Sequence, residues 1–132
     1  MEDRSIIIDT SILIEFLRSK NKYQTALWSL KENYFCYTTS VTVFELYCGA
    51  KTDVHTHDLE KLFRWLNILS FDEESAKLSS QIYRELKAKN QLIEYRDIFI
   101  AATAIKSGYT LATLNTKHFD RISRLSLLTI GS

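Results

Sequence analysis

Ile6-Ile7-Ile8 restricts the architecture more than any other feature. In a strand, successive side chains point to opposite faces, so three β-branched residues without polar alternation leave no face for water. Such a strand belongs in a sheet covered on both sides, the usual setting of parallel strands. The run spans residues 4–9 and ends in Asp9, and Thr10-Ser11 then offer an N-cap for a helix over 11–17.

This succession of strand and helix recurs along the chain. A helix is expected over 22–31, then an aromatic, Thr-rich strand over 34–39, then Ser40 as N-cap of a helix over 41–47 that Gly49 ends. Residues 52–57 are polar and read as a loop, with Thr56 or Asp58 capping the helix whose apolar face is Leu59, Leu62, Phe63 and Leu66; a third strand follows over 66–71. Asp72-Glu73-Glu74 open a long helix and Lys87 and Lys89 close it, the order of charge that the helix dipole favours. A further helix covers 95–106, with Ile98, Ala101, Ala102 and Ile105 at helical spacing and Gly108 as its stop, and strands over 109–113 and 127–130 complete the pattern. The alternation predicts an α/β fold, a three-layer α/β/α sandwich around a mostly parallel central sheet. At 132 residues the chain has the size of one domain, and 1–132 is read as such.

Composition excludes several classes. With 45% hydrophobic and 25% charged residues the chain is ordinary for a globular protein, and disorder is not expected. No apolar run approaches the ~20 residues that cross a bilayer. Met1-Glu2-Asp3-Arg4 leads at once into the first strand, so no secretory leader, no membrane partner and a cytoplasmic location are expected. Cys36 and Cys48 lack CxxC spacing and a partnering His motif, and read as buried small hydrophobes in a reducing compartment. The net charge of +1 hides an asymmetry: residues 1–80 hold 9 Lys/Arg against 12 Asp/Glu, and 81–132 hold 8 against 4. The second part is the one suited to attract phosphates.

Asp9 stands where a parallel strand ends, and ligand crevices of α/β sheets form at such ends. Alone, it is equally well read as a helix cap. Glu45 lies inside the apolar TSVTVFELYCGA, and Asp97 in the first turns of the helix in IEYRDIFIAATAI. A carboxylate in an apolar helix stripe is costly to bury unless it is paired or holds a cation. Each has a plain alternative, helix N-terminal donors for Asp97 and a cation such as Arg96 for Glu45. Their convergence favours a hard cation with oxygen ligands, Mg²⁺ or Mn²⁺. His55-x-His57 with Asp58 is a rival metal motif, but it lacks a second spaced ligand pair and reads better as a helix entry. His118 reads as a surface residue, and Trp28 and Trp65 as packing residues.

Asp9 in IIIDTSILIEFL, Glu45 in SVTVFELYCGA, Asp97 in IEYRDIFIAATA and Asn115 in ATLNTKHFDRI resemble, in order and over nearly the whole chain, the four blocks of PIN-domain proteins, and more narrowly the VapC-like ribonuclease toxins. The resemblance implies the α/β/α sandwich and a metal-dependent endoribonuclease in which Asp9, Glu45 and Asp97 hold Mg²⁺ or Mn²⁺. It implies an RNA substrate, a cognate antitoxin protein that blocks the site, and a homodimer. Beside these acids, Thr113 and Asn115 are expected to position water or phosphate through hydrogen bonds, and Arg96, Lys117 and Arg121 to form a basic rim for RNA. The family often has an acid where Asn115 stands, so a second ion is expected to bind weakly or only with substrate. The Pro often found before the third acid is missing, and Glu94 occupies that neighbourhood without an assigned role.

Two other readings stay open at this point. One is a PIN-like module that binds RNA or protein without cutting, which Asn115 keeps alive. The other is a receiver-like signalling domain, which also gathers acids around Mg²⁺ at parallel strand ends. That domain needs a phospho-accepting Asp at a middle strand end and a Lys after the last strand, whereas Glu45 lies in a helix and Thr113 and Asn115 occupy the later strand end. A haloacid dehalogenase-like phosphatase would need a second Asp two residues after Asp9, where Ser11 stands.

Overall fold

Ile6 and Ile8 enter one apolar core and Ile7 enters another, on opposite sides of a parallel sheet. The computed structural model describes residues 4–130. Among them the order of elements is β1 (Ser5–Ile8), α1 (Thr10–Arg18), α2 (Ala26–Asn33), β2 (Phe35–Thr39), α3 (Ser40–Cys48), α4 (Asp53–Arg64), β3 (Asn67–Leu69), α5 (Glu73–Ala88), α6 (Tyr95–Ser107), β4 (Thr110–Thr113), α7 (Thr116–Phe119) and β5 (Leu127–Thr129). The strands form a five-stranded sheet in the order β3-β2-β1-β4-β5, with every neighbouring pair parallel. β1 lies at its centre, with Ile7 opposite Tyr37 of β2 on one side and Leu111 of β4 on the other.

The two cores make the three layers. On one face α1 to α4 pack Ile12, Leu13, Leu27, Leu46, Leu59 and Leu62 against Ile6 and Ile8. On the other, α5, α6 and α7 pack Ile82, Leu86, Ile98, Ala101 and Phe119 against Ile7 and Leu111. A strand apolar on both sides is thereby shielded on both sides, as its sequence requires.

Local chemistry explains where the elements begin, and corrects several expectations. The helix expected over 22–31 is interrupted: Lys22–Gln24 form a 3₁₀ turn, and α2 starts afresh because the Thr25 hydroxyl accepts from Trp28 N. Thr39, not Ser40, caps α3; Ser40 Oγ instead accepts from Phe71 N at 3.0 Å. Residues 53–57 are helical rather than a loop, since Thr52 caps α4 and places Thr56 and Asp58 inside it. The third strand is shorter than expected. Asp9, and neither Thr10 nor Ser11, occupies the N-cap position of α1, and its side chain makes no capping bond. At the far end of α6 the expectation holds: Gly108 has φ +73°, a left-handed conformation that closes the helix and suits glycine.

Cys36 is buried, which pushes its thiol up to about 11, whereas Cys48 is exposed because the last turn of α3 faces solvent. Trp28 and Trp65 are half-buried in a ring stack that runs Phe16, Trp65, Trp28, Tyr23 with centroids 5.6, 5.6 and 4.6 Å apart. Among the described residues, no helix is long and apolar enough to cross a membrane. Met1 to Asp3, on which the expectation about a leader rests, lie outside the described residues.

Candidate active site

β1 has β2 on one side and β4 on the other, so the chain leaves the C-terminal ends of β1 and β4 in opposite directions. That reversal opens a crevice, the place where open α/β sheets bind ligands. Asp9 closes the end of β1, with its N–H donating to Ala112 O at 2.9 Å. Its carboxylate is 3% exposed and accepts two hydroxyl bonds at Oδ2, from Thr113 Oγ1 at 2.7 Å and Ser11 Oγ at 2.9 Å. Both hydroxyls are themselves fixed by the backbone: Asn115 N donates to Thr113 Oγ1 at 2.9 Å and Leu114 N to Ser11 Oγ at 3.1 Å. Among the described residues all of these bonds fall on Oδ2, which leaves the lone pairs of Oδ1 for a ligand.

Asp97 comes to the same crevice from the first turn of α6. Burial pushes its carboxyl above the ordinary range, and the nearby charge of Asp9 pushes it further, with His118 acting in the opposite direction. His118 Nδ1 lies 3.3 Å from Asp97 Oδ2. Glu45 lies beside this pair on α3. Its Oε1 accepts from Thr10 Oγ1 at 2.9 Å, and its Oε2 is 3.1 Å from Arg96 Nη1. Arg96 also pairs with Glu94 and holds that carboxyl below its ordinary range.

A buried and a half-buried carboxylate that repel each other are a place for a cation, and all-oxygen donors suit a hard one. Among the described residues, no three His, Cys, Asp or Glu side chains converge as a ready-made cage. Mg²⁺ does not require one, because it commonly takes one or two carboxylates and keeps several waters. Asp9 and Asp97 fit that demand, and Glu45 stands next to them with one oxygen on a hydroxyl and the other on an arginine.

The PIN domain pattern matches residues 6–125, a span that contains Asp9, Glu45, Asp97 and Asn115. The chain belongs to the PIN-domain family. Its sequence is similar to Ribonuclease VapC1 of Methanocaldococcus jannaschii, with 32% identity over 96% of this chain and 87% of that one. It is similar also to Ribonuclease VapC1 of Rickettsia felis, with 34% identity over 96% and 97%. The fold superposes on VapBC2 from Rickettsia felis, solved bound to a DNA fragment from their promoter, with a TM-score of 0.83, 25% identity and coverage of 96% and 99%. These likenesses place the chain in the VapC-like branch.

Within this PIN domain, the expected site residues fall into three groups. Asp9, Asp97 and Thr113 meet in the crevice, with Glu45 joined through Thr10. Asn115 is exposed at the start of α7 and contributes its backbone N–H to Thr113. The basic residues are dispersed: Arg96 lies on Glu45 and Glu94, Lys117 is exposed, and Arg121 Nη1 donates to Gln91 O and Leu92 O at 3.3 and 3.1 Å, bracing the segment that leads into α6. The rival histidines lie on α4, where His55 accepts from Lys51 N at 3.4 Å beside a cleft of about 560 Å³ that reaches Glu45. Two participants escape the sequence. His118 meets Asp97 only through the turn of α7, and Thr42 is marked only by its place one helical turn before Glu45, on the same side of α3.

Proposed function

We propose that this PIN domain is a divalent-metal-dependent endoribonuclease, the toxin of a toxin-antitoxin pair. The observation that carries the reading is the Asp9–Asp97 pair, two repelling carboxylates in the crevice between β1 and β4, one of them fixed by two hydroxyls. The relatives are named ribonucleases, and the matched structure is a VapBC assembly. An RNA substrate and an antitoxin partner follow for this chain. The cleft between α1, α3 and α4 would give a blocking segment access to Glu45.

Asp9 and Asp97 would hold Mg²⁺ or Mn²⁺, with Glu45 as the adjoining third acid. The ion supplies Lewis acidity towards the phosphodiester and the attacking water. Thr113 and Ser11 hold Asp9 through Oδ2, which would leave Oδ1 for the ion. Asn115 and Lys117, exposed at the start of α7, would meet the RNA backbone, and Arg96 would hold Glu45 and Glu94 until a stronger cation competes.

Cleavage of a mixed structured-RNA pool tests the proposal, with Mg²⁺, with Mn²⁺, with EDTA, and with D9A, D97N and N115A proteins in parallel. Wild type should cut with either ion and stop with EDTA, and D9A and D97N should fall by at least ~100-fold. N115A ranks the fourth position. Undiminished cutting by D97N from a nuclease-free preparation would sink the assignment, and a folded wild type that binds Mn²⁺ without cutting any RNA would turn the reading to a binding module.

A further inference from the structure

Three threonines, Thr10, Thr39 and Thr42, lie buried next to Glu45 where α1, α3 and β2 meet. Thr39 Oγ1 is 3.2 Å from Thr42 Oγ1, Thr42 Oγ1 is 3.0 Å from Thr10 Oγ1, and Thr10 Oγ1 is 2.9 Å from Glu45 Oε1. Each hydroxyl has a single proton to donate, and an ionised carboxylate only accepts. The Thr10 hydroxyl is the donor towards both Glu45 Oε1 and Thr42 Oγ1, and Thr39 donates to Thr42. Thr39 is set in turn, because its oxygen accepts from Thr42 N at 3.1 Å as the cap of α3. Thr42 Oγ1 thus anchors both neighbouring hydroxyls, and that of Thr10 is held between it and the carboxylate oxygen.

We infer that Thr42 is a positioning residue for Glu45, acting through Thr10: its oxygen accepts from Thr10 Oγ1 and so fixes the Thr10 side chain whose hydroxyl meets Glu45 Oε1. This rests on the proposed role of Glu45 beside the cation. A buried helix residue of this size could be valine with no loss of packing, and the hydroxyl is what distinguishes threonine here. Holding Oε1 on a fixed donor leaves Oε2, now on the exposed Arg96, as the oxygen that exchanges its partner for a metal ion. Outer hydrogen bonds of this kind orient metal ligands and tune affinity.

The test measures Mn²⁺ binding to the metal-free protein by the loss of the free-ion electron paramagnetic resonance signal, alongside thermal melting without metal. T42V should bind Mn²⁺ about tenfold more weakly. T42S, which keeps the hydroxyl, should remain within about twofold of wild type. E45Q is the control for the underlying reading. If E45Q weakens binding and T42V does not, the positioning role is overturned while the metal site stands. If E45Q leaves binding unchanged, Glu45 does not face the ion and both fail. Equal losses in T42V and T42S would assign the effect to packing and overturn the inference. Should T42V not fold, T42A removes the same hydroxyl and takes its place.

Discussion

Among the described residues, four α-helices are closed at their N-termini by a side chain, and three are not. Thr25, Thr39, Thr52 and Asp72 each accept from a backbone N–H in the first turn of α2, α3, α4 and α5. Asp9, Glu94 and Asn115 occupy the same position before α1, α6 and α7 and make no such bond. Of the uncapped helices, α1 follows Asp9, α6 carries Asp97, and α7 follows Asn115, whose N–H donates to Thr113. Asp and Asn are among the best capping residues, and a cap is typically worth about 1 kcal/mol. The sharpest contrast is between two aspartates. Asp72 caps its helix through Ser75 N and pairs with Lys106, and the Lys106 bond together with the capping bonds lowers its carboxyl to about 2. Asp9, in the equivalent place, turns its carboxylate to Thr113 and Ser11 instead. The same residue type at the same local position serves stability in one case and a site in the other.

The largest expected effect separates stability from binding at Asp97. Because burial and Asp9 raise its carboxyl above the ordinary range, the folded state holds more protons than the unfolded one between the two values. Metal-free stability should thus fall as pH rises through that window, and the deficit should persist at neutral pH. D97N removes the charge, so its melting temperature without divalent ions should exceed that of wild type at pH 7, while Mn²⁺ binding drops by about 100-fold or more. A lower melting temperature would show that Asp97 serves the fold. T113V comes next, deleting one of the two hydroxyl bonds on Asp9. Mn²⁺ affinity measured by titration calorimetry should weaken about tenfold, since Ser11 still holds the carboxylate. D72A should show the opposite pattern, a melting temperature lowered by roughly 2–4 °C with unchanged Mn²⁺ binding and RNA cleavage. As the carboxyl of Asp72 is lowered in the folded state, its contribution is present above the ordinary carboxylate range and lost as pH falls through about 2, so wild type and D72A melts should converge in strong acid. A change in metal affinity in D72A would break the contrast between the two aspartates.

Strands and helix ends were legible where one local interaction decides them. Three isoleucines call for two covered faces, Asp72 to Glu74 mark a helix start, and Gly108 a helix end. Residues 53–57 misled because they precede the first apolar repeat at Leu59: the opening turns of α4 face solvent, and their polarity mimics a loop. The informative residue was Thr52, a cap three positions before His55. The break before α2 was hidden for the same reason, since the Thr25 cap lies inside an otherwise continuous helical pattern. At the site, the sequence named acids that the fold brings near one another, and the pairing of Glu45 with Arg96 was among its alternatives. It could not supply the Asp97–His118 contact or the bond from Thr113 to Asp9, because these depend on how β4 and α7 meet β1 and α6.

Asp9 and Thr113 are separated by 104 positions, yet they share a hydrogen bond. During synthesis, β1 can find β2 early, but the other wall of the crevice does not exist until residue 113 has left the ribosome. Pairings across such long loops are also among the slower events of folding. A partly made chain thus carries Asp9, and later Glu45 and Asp97, without the strand that brings them to one place. Interrupted products ending before β4 therefore lack the hydroxyl that fixes Asp9, and the crevice is completed only when most of the chain has been translated.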